Sequence, residues 1–215
     1  MSILQLCVCF ILGYIFGNIP NGYLYAKSQG VDIYHQGSGN PGSTNVLRTL
    51  GKRAGITVLL MDIAKCMVPI FLMILFWKSA NEDQKTLILM LTGIGAILGH
   101  NFPILPGVKG GKGVACTGAL LIALAPLYTL GLLCFFILIV LTTKYVSLGS
   151  VLSVFVFFLS VLLMGKSGIL FPFSEAIYLP MCGLSLFLAL LCLFQHRENM
   201  KRLINGTENK FGKNK

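Results

Sequence analysis

The chain has 215 residues, 55% of them apolar and only 11% charged, with 17 Lys and Arg set against seven Asp and Glu. Soluble domains carry roughly 25% charged residues, so a single water-soluble globule is excluded; the apolar residues instead form runs long enough to cross a hydrocarbon layer of about 30 Å. The formal charge of +10 does not describe a nucleic-acid surface, because the basic residues lie in loops between apolar runs and in the C-terminal tail, where they set topology and attract anions.

The first apolar run covers about 3 to 25 and begins without the basic region or small-residue cleavage site of a signal peptide, so it is expected to remain as a membrane span. A Gly-rich polar loop, 26–53, follows. It contains Gln36-Gly37-Ser38-Gly39-Asn40-Pro41-Gly42-Ser43-Thr44-Asn45, then Arg48, Lys52 and Arg53. Glycines among hydroxyl and amide side chains let backbone N–H groups turn inward, where they hold an anion beside a helix start. Thr44 or Asn45 is placed to cap the helix that carries Arg48; a flexible linker with a helix cap explains the same residues.

Run two, about 54 to 77, carries Asp62 and Lys65 three residues apart. Charges at membrane depth are costly, so the two are expected to face the bundle interior as a pair. After a short charged loop, 78–85, run three covers about 86 to 99. It leads into Gly99-His100-Asn101-Phe102-Pro103 and then Gly107-Val108-Lys109-Gly110-Gly111-Lys112-Gly113-Val114. A Gly-Gly-Lys-Gly loop feeding a helix offers backbone donors, a favourable dipole end and a cation. It is not a nucleotide-binding Walker loop, since Pro106 stands where the first glycine would be and Gly113 replaces the magnesium-binding hydroxyl.

The apolar stretch 114–142 decides the topology. As one helix it would reach about 43 Å, and Ala125-Pro126 near its middle disfavours continuous helix; two short crossings or a re-entrant pair are expected. A hinge at Thr142-Thr143-Lys144, a run at 146–165, a loop at 166–176 and a last run at 177–195 complete the membrane part. With two crossings in 114–142 the chain crosses seven times, and 13 of the 17 basic residues share the face of the Gly-rich loops. Lys78, Lys85 and Lys166 lie opposite, and Lys65 lies within run two. That asymmetry predicts an all-α, polytopic membrane protein of about seven transmembrane helices in a single domain, 1–215. Its N-terminus is outside, and its C-terminus and polar motifs are cytoplasmic.

The tail reads His196-Arg197-Glu198-Asn199-Met200-Lys201-Arg202-Leu203, then Gly206-Thr207-Glu208. On a continuing helix His196 and Asn199 share a face and point into one site, whereas Arg197, Lys201 and Arg202 suit anionic lipid headgroups. Cys7, Cys9, Cys66, Cys134, Cys182 and Cys192 fall in apolar runs and read as small buried side chains; only Cys116 is close to a polar motif.

The segments GSGNPGSTNVLR, GHNFPILPGVKGGKGVA and HRENMKRLINGTENK resemble, in order and spacing, the three motifs of the PlsY family of acyl-phosphate:glycerol-3-phosphate acyltransferases. Gly17-Asn18-Ile19-Pro20 and Tyr145-Val146-Ser147-Leu148-Gly149-Ser150 are similar to further family segments, and the likeness covers essentially the whole chain. Lys144, Pro106 and Cys116 depart from the usual pattern. The resemblance implies a seven-helix enzyme of the bacterial inner membrane that transfers a fatty acyl group from acyl phosphate to the 1-hydroxyl of sn-glycerol 3-phosphate. The products would be lysophosphatidic acid and inorganic phosphate.

It further implies that Arg48, Lys112, His196 and Asn199 grip glycerol 3-phosphate. Ser38, Asn40, Thr44, Asn45, Gly110, Gly111 and Gly113 would hold the acyl phosphate, with Ser147 and Ser150 as helpers, and His196, Asn199 and Lys112 would form the catalytic set. No metal or cofactor is implied, and the partners are the two substrates, membrane lipids and functional coupling to an enzyme that makes acyl phosphate. The acyl phosphate is already activated, so direct attack by the glycerol hydroxyl needs no covalent acyl-enzyme; the proton acceptor is His196 or a substrate phosphate oxygen. The glycines of run one (Gly13, Gly17, Gly22) and run three (Gly93, Gly95) would let helices approach or leave a gap for the acyl chain. An anion transporter would instead show internal repeats and polar residues at mid-membrane depth, and a lipid-binding structural protein would not require the first motif.

Overall fold

The computed structural model describes residues 2–169 and 173–212. Expectations for Met1, for loop residues 170–172 and for the tail cations Lys213 and Lys215 fall outside the described residues. Among those described, regular structure is helical throughout. Five helical stretches are long and apolar enough to cross a membrane: Ile3–Ser28, Lys52–Phe76, Pro126–Thr143, Val146–Ser167 and Glu175–Gln195. Their outer faces leave large side chains such as Leu60, Leu75, Leu130, Leu141, Leu163 and Leu190 exposed. In water this would be a prohibitive apolar surface; in lipid, helices with internally satisfied backbones are the stable solution.

The chain divides into two compact units, Met1–Ala80 with Leu87–Ala123, and Asn81–Thr86 with Leu124–Lys215. The first unit opens with α1 (Ile3–Gly17), whose start is fixed by a capping box between Ser2 and Gln5. The first apolar run is not one continuous helix: it breaks at Asn18, Ile19 and Pro20 before α2 (Asn21–Ser28). Pro20 brings no backbone N–H, and the Asn18 carboxamide closes the end of α1 by donating to the Tyr14 carbonyl at 2.6 Å.

A short amphipathic helix, α3 (Ser43–Leu50), precedes α4 (Lys52–Phe76), whose 25 residues span about 37 Å. Next comes α5 (Glu82–Asn101), with Glu82 and Asp83 in its first turn, where negative charge suits the helix dipole. Helices α1 and α5 touch backbone to backbone. A methyl group at Gly13 would stand 2.0 Å from the Thr92 carbonyl oxygen, one at Gly17 2.2 Å from that of Ala96, and one at Gly95 2.1 Å from that of Phe10. Of the two uses foreseen for these small residues, the structure shows close approach.

The stretch 114–142 divides as expected, into α6 (Val114–Leu124) and α7 (Pro126–Thr143). Ala125, with φ −153° and ψ 82°, breaks the helix before Pro126. In the second unit Lys144 takes a left-handed conformation at φ 65°, and its carbonyl accepts the Phe211 N–H at 2.7 Å. This is the hinge before α8 (Val146–Met164). Then follow α9 (Tyr178–Gln195) and α10 (Arg197–Ile204). Phe157, Val161, Met181 and Leu188 are buried in this unit.

Candidate active site

In the first unit the Gly-rich loop is shaped by its own amides. Asn45, 2% exposed, accepts the Ser38 N–H at 2.8 Å and donates to the Gln36 carbonyl at 2.9 Å, which closes residues 36–38 over the start of α3. Asn40 accepts the Gly42 N–H at 3.0 Å. The residue at the N-cap of α3 is Gly42, with no side-chain cap bond. The expectation that Thr44 or Asn45 caps this helix is therefore corrected: both lie inside its first turn, and the Asn45 carboxamide reaches back to the loop instead. Ser38 is exposed, Thr44 and Arg48 are half-buried, and Arg48 occupies the last turn of α3.

The Gly/Lys loop sits on the C-terminal end of α5. Gly111 donates its N–H to the His100 carbonyl at 3.1 Å. Gly113 has φ +76°, a conformation that costs any other residue strain, and its carbonyl accepts the Thr117 hydroxyl at 2.9 Å inside the first turn of α6. Lys112 is half-buried between these glycines. The Tyr34 hydroxyl ties the two loops together, accepting the Lys109 N–H at 2.9 Å and lying 3.1 Å from the Lys109 carbonyl. A hollow with about 240 Å³ of empty space, part of it open, lies between the helix break at 17–22, Pro41, the end of α5 and Lys109 to Gly111.

Beneath this hollow lies the ion pair that the spacing of run two predicted. Lys65 and Asp62 are both buried, and Lys65 Nζ is 3.1 Å from Asp62 Oδ1. Lys65 also donates to the Ile19 carbonyl at 2.8 Å, and the Asn21 amide donates to Asp62 Oδ1 at 3.0 Å. The pair thereby ties the open backbone at the α1–α2 break to α4, which offsets the cost of burying two charges.

The second unit gathers its polar residues on one carboxylate. Glu208 Oε1 accepts the Asn199 amide at 2.6 Å and the Ser147 hydroxyl at 2.9 Å, while Oε2 accepts the Arg202 Nε–H at 2.8 Å. The helix does not continue through His196 as expected: that residue, at φ −100° and ψ 6°, is the joint between α9 and α10. His196 and Asn199 are nevertheless both buried. His196 Nδ1 lies 2.8 Å from the Cys192 carbonyl oxygen. A carbonyl only accepts, so Nδ1 carries the proton and the lone pair of the neutral ring is on Nε2. Ser150 is buried one turn beyond Ser147, and its hydroxyl donates to the Val146 carbonyl at 2.9 Å.

Burial pushes the Glu208 carboxyl up, but the hydrogen bonds from Asn199, Arg202 and Ser147 outweigh it and hold its pKa below the ordinary glutamate range. On the exposed rim, the His35 imidazole and then the Tyr34 N–H hold Asp32 below its usual value. Burial pushes the Tyr34 phenol up. The Lys201 ammonium lowers Glu198.

Glu208, Asn21 and His100 were not assigned from sequence, although all three stand in quoted segments or beside them. The available signal was the Gly206 turn, which folds the chain back after α10 with φ +70° and returns Glu208 to Asn199. Among the described residues, no three of His, Cys, Asp and Glu gather as a metal site.

These loops and helices match known proteins along the chain. Residues 7–206 fit the family described as glycerol-3-phosphate acyltransferase. The chain is 40% identical to a glycerol-3-phosphate acyltransferase of Clostridioides difficile, with all of both chains covered. It is also 40% identical to one of Geobacter sulfurreducens, covering 93% of this chain and 94% of the other. Its structure is similar to PlsY (YgiH), an integral membrane glycerol 3-phosphate acyltransferase solved in a glycerol 3-phosphate form. That match has a TM-score of 0.82 and 33% identity, and covers 96% of each chain. The lysophosphatidic acid form of PlsY gives a TM-score of 0.79 at the same identity, covering 96% of this chain and 95% of the other. A match of this length, running through the Gly-rich loop, the Gly/Lys loop and the α9–α10 joint alike, places the chain in the glycerol-3-phosphate acyltransferase family of integral membrane proteins.

Proposed function

We propose that the chain transfers a fatty acyl group from acyl phosphate to the 1-hydroxyl of sn-glycerol 3-phosphate, as the first acylation of phospholipid synthesis. The observation that carries this reading is the near full-length similarity to PlsY structures in glycerol 3-phosphate and lysophosphatidic acid forms, taken with two Gly-rich loops joined through Tyr34 in one unit. In the reaction the glycerol oxygen bonds to the acyl carbonyl carbon and the bond from that carbon to the phosphate oxygen breaks. Inorganic phosphate departs, and the hydroxyl proton passes to His196 Nε2 or to a phosphate oxygen. Phosphate is a good leaving group, so positioning and charge stabilisation supply most of the rate.

By the family resemblance, Arg48, Lys112, His196 and Asn199 are assigned to glycerol 3-phosphate. Ser38, Asn40, Thr44, Asn45 and the turn Gly110, Gly111 and Gly113 are assigned to acyl phosphate, with Ser147 and Ser150 as helpers. Asn45 and Asn40 would act by presenting loop N–H groups, since their own side chains bond the loop backbone. The whole chain is one acyltransferase domain in this reading. It crosses the bacterial inner membrane seven times, with its N-terminus outside and its site facing the cytoplasm, and draws acyl phosphate from a companion enzyme.

Kinetics of purified variants test the residue roles. His196→Ala and Lys112→Ala are each expected to lose about 100-fold or more in kcat/KM; full activity in both would remove these residues from the mechanism.

A further inference from the structure

The end of α5 does more than terminate a helix. His100 turns Nδ1 toward Asp62 Oδ1, 3.7 Å away. Its other nitrogen lies against Gly111: a methyl group there would stand 2.1 Å from Nε2, and the three atoms nearest to it all belong to the imidazole. The ring thus fills the space between a carboxylate on α4 and the inner side of the glycine turn.

That carboxylate is itself fixed, because Asn21 and Lys65 both bond the same oxygen that faces His100. The next residue repeats the arrangement. The buried Asn101 carboxamide oxygen would be 2.7 Å from a methyl group on Gly113, so two successive residues of α5 each support one glycine of the loop. An ion pair buried this deeply adds little net stability over an apolar replacement, whereas a fixed charge beneath a flexible glycine turn gives that turn one geometry.

We propose that His100 is a positioning residue: seated against the Asp62–Lys65 pair, its ring holds the Gly110–Gly113 turn in the shape that aims backbone N–H groups at a substrate phosphate. It acts through the loop rather than on the reacting atoms. The kinetic part of this inference rests on the acyltransferase reading; the structural part does not.

The test uses the full chain purified in detergent, with His100→Ala, Asp62→Asn, Gly111→Ala and the double variant His100→Ala/Gly111→Ala, each checked for a monodisperse folded state. In His100→Ala the KM for at least one phosphate substrate rises about tenfold while kcat stays within about threefold. Asp62→Asn moves the same KM in the same direction; should it fail to fold, His100→Ala carries the test. Gly111→Ala drives a methyl into the ring and raises that KM. Once the ring is removed the methyl has room, so the double variant matches His100→Ala within about twofold instead of multiplying the two losses. Without any substrate, hydrogen exchange at the amides of residues 110–113 quickens in His100→Ala. Unchanged exchange together with unchanged KM, a fall in kcat alone, or multiplicative losses in the double variant would overturn the proposal. Faster exchange in His100→Ala, alongside a wild-type chain that transfers no acyl group, would uphold the loop role and sink the acyltransferase reading instead.

Discussion

In the first unit the polar loops proposed to bind substrate are built of backbone, curved by glycines and braced from below by a buried ion pair, whereas in the second the polar side chains are collected on one carboxylate, Glu208. The two constructions fail differently. A loop of N–H groups tolerates many side-chain changes but not an added methyl where a glycine touches its support. A carboxylate hub tolerates neighbouring glycines but loses three partners when a single residue is changed.

The largest effect is expected below the glycine loop. Lys65→Met leaves Asp62 charged and buried with the Asn21 amide as its remaining close donor, and should lower unfolding stability by about 3–5 kcal/mol, read by thermal unfolding in detergent. Glu208→Ala removes the acceptor that Asn199, Ser147 and Arg202 share, at a cost of about 3 kcal/mol; the same measurement checks it, and the loss should not be shared by Glu198→Ala. Gly113→Ala must adopt φ +76° and meets Asn101. A penalty of about 1–3 kcal/mol is expected, accompanied by weaker binding of a phosphate substrate.

Acid should strike the second unit through Glu208. Its carboxyl is held below the ordinary range when folded, so the stability it contributes is complete above the unfolded value of about 4.3 and disappears as the pH falls through the lower, folded value. Unfolding midpoints recorded on a descending pH series should drop in that acid window, and Glu208→Gln should flatten the drop. The smallest change is predicted at the surface: Lys201 is exposed and pairs with exposed Glu198 at 3.0 Å, so Lys201→Ala should alter stability by less than about 0.5 kcal/mol.

Features set by local chemistry were legible in the sequence. Pro126 and the Thr142-Thr143-Lys144 hinge marked real breaks, and the spacing of Asp62 and Lys65 announced their pairing. Features set by distant partners were not. The first run looks continuous by hydropathy, yet it breaks at 18–20, where distant partners add to the local effect of Pro20: Asn18 accepts the Ile104 N–H at 2.7 Å and Lys65 donates to the Ile19 carbonyl. The return of Glu208 to Asn199 depends on a turn at Gly206, which periodicity does not register, and neither does it register the helix joint at His196. Asx and hydroxyl residues favour helix starts, which points to Thr44 or Asn45 as the cap; the structure places the N-cap two to three residues earlier, at Gly42.

The central claim, that the chain joins an acyl phosphate to glycerol 3-phosphate, is tested most directly by incubating the detergent-purified full chain with an acyl phosphate and labelled glycerol 3-phosphate, beside a parallel reaction supplied with acyl-CoA. The account predicts labelled lysophosphatidic acid and an equal amount of inorganic phosphate from the first mixture and none from the second. Label left wholly in glycerol 3-phosphate, or product formed only from acyl-CoA, would contradict it.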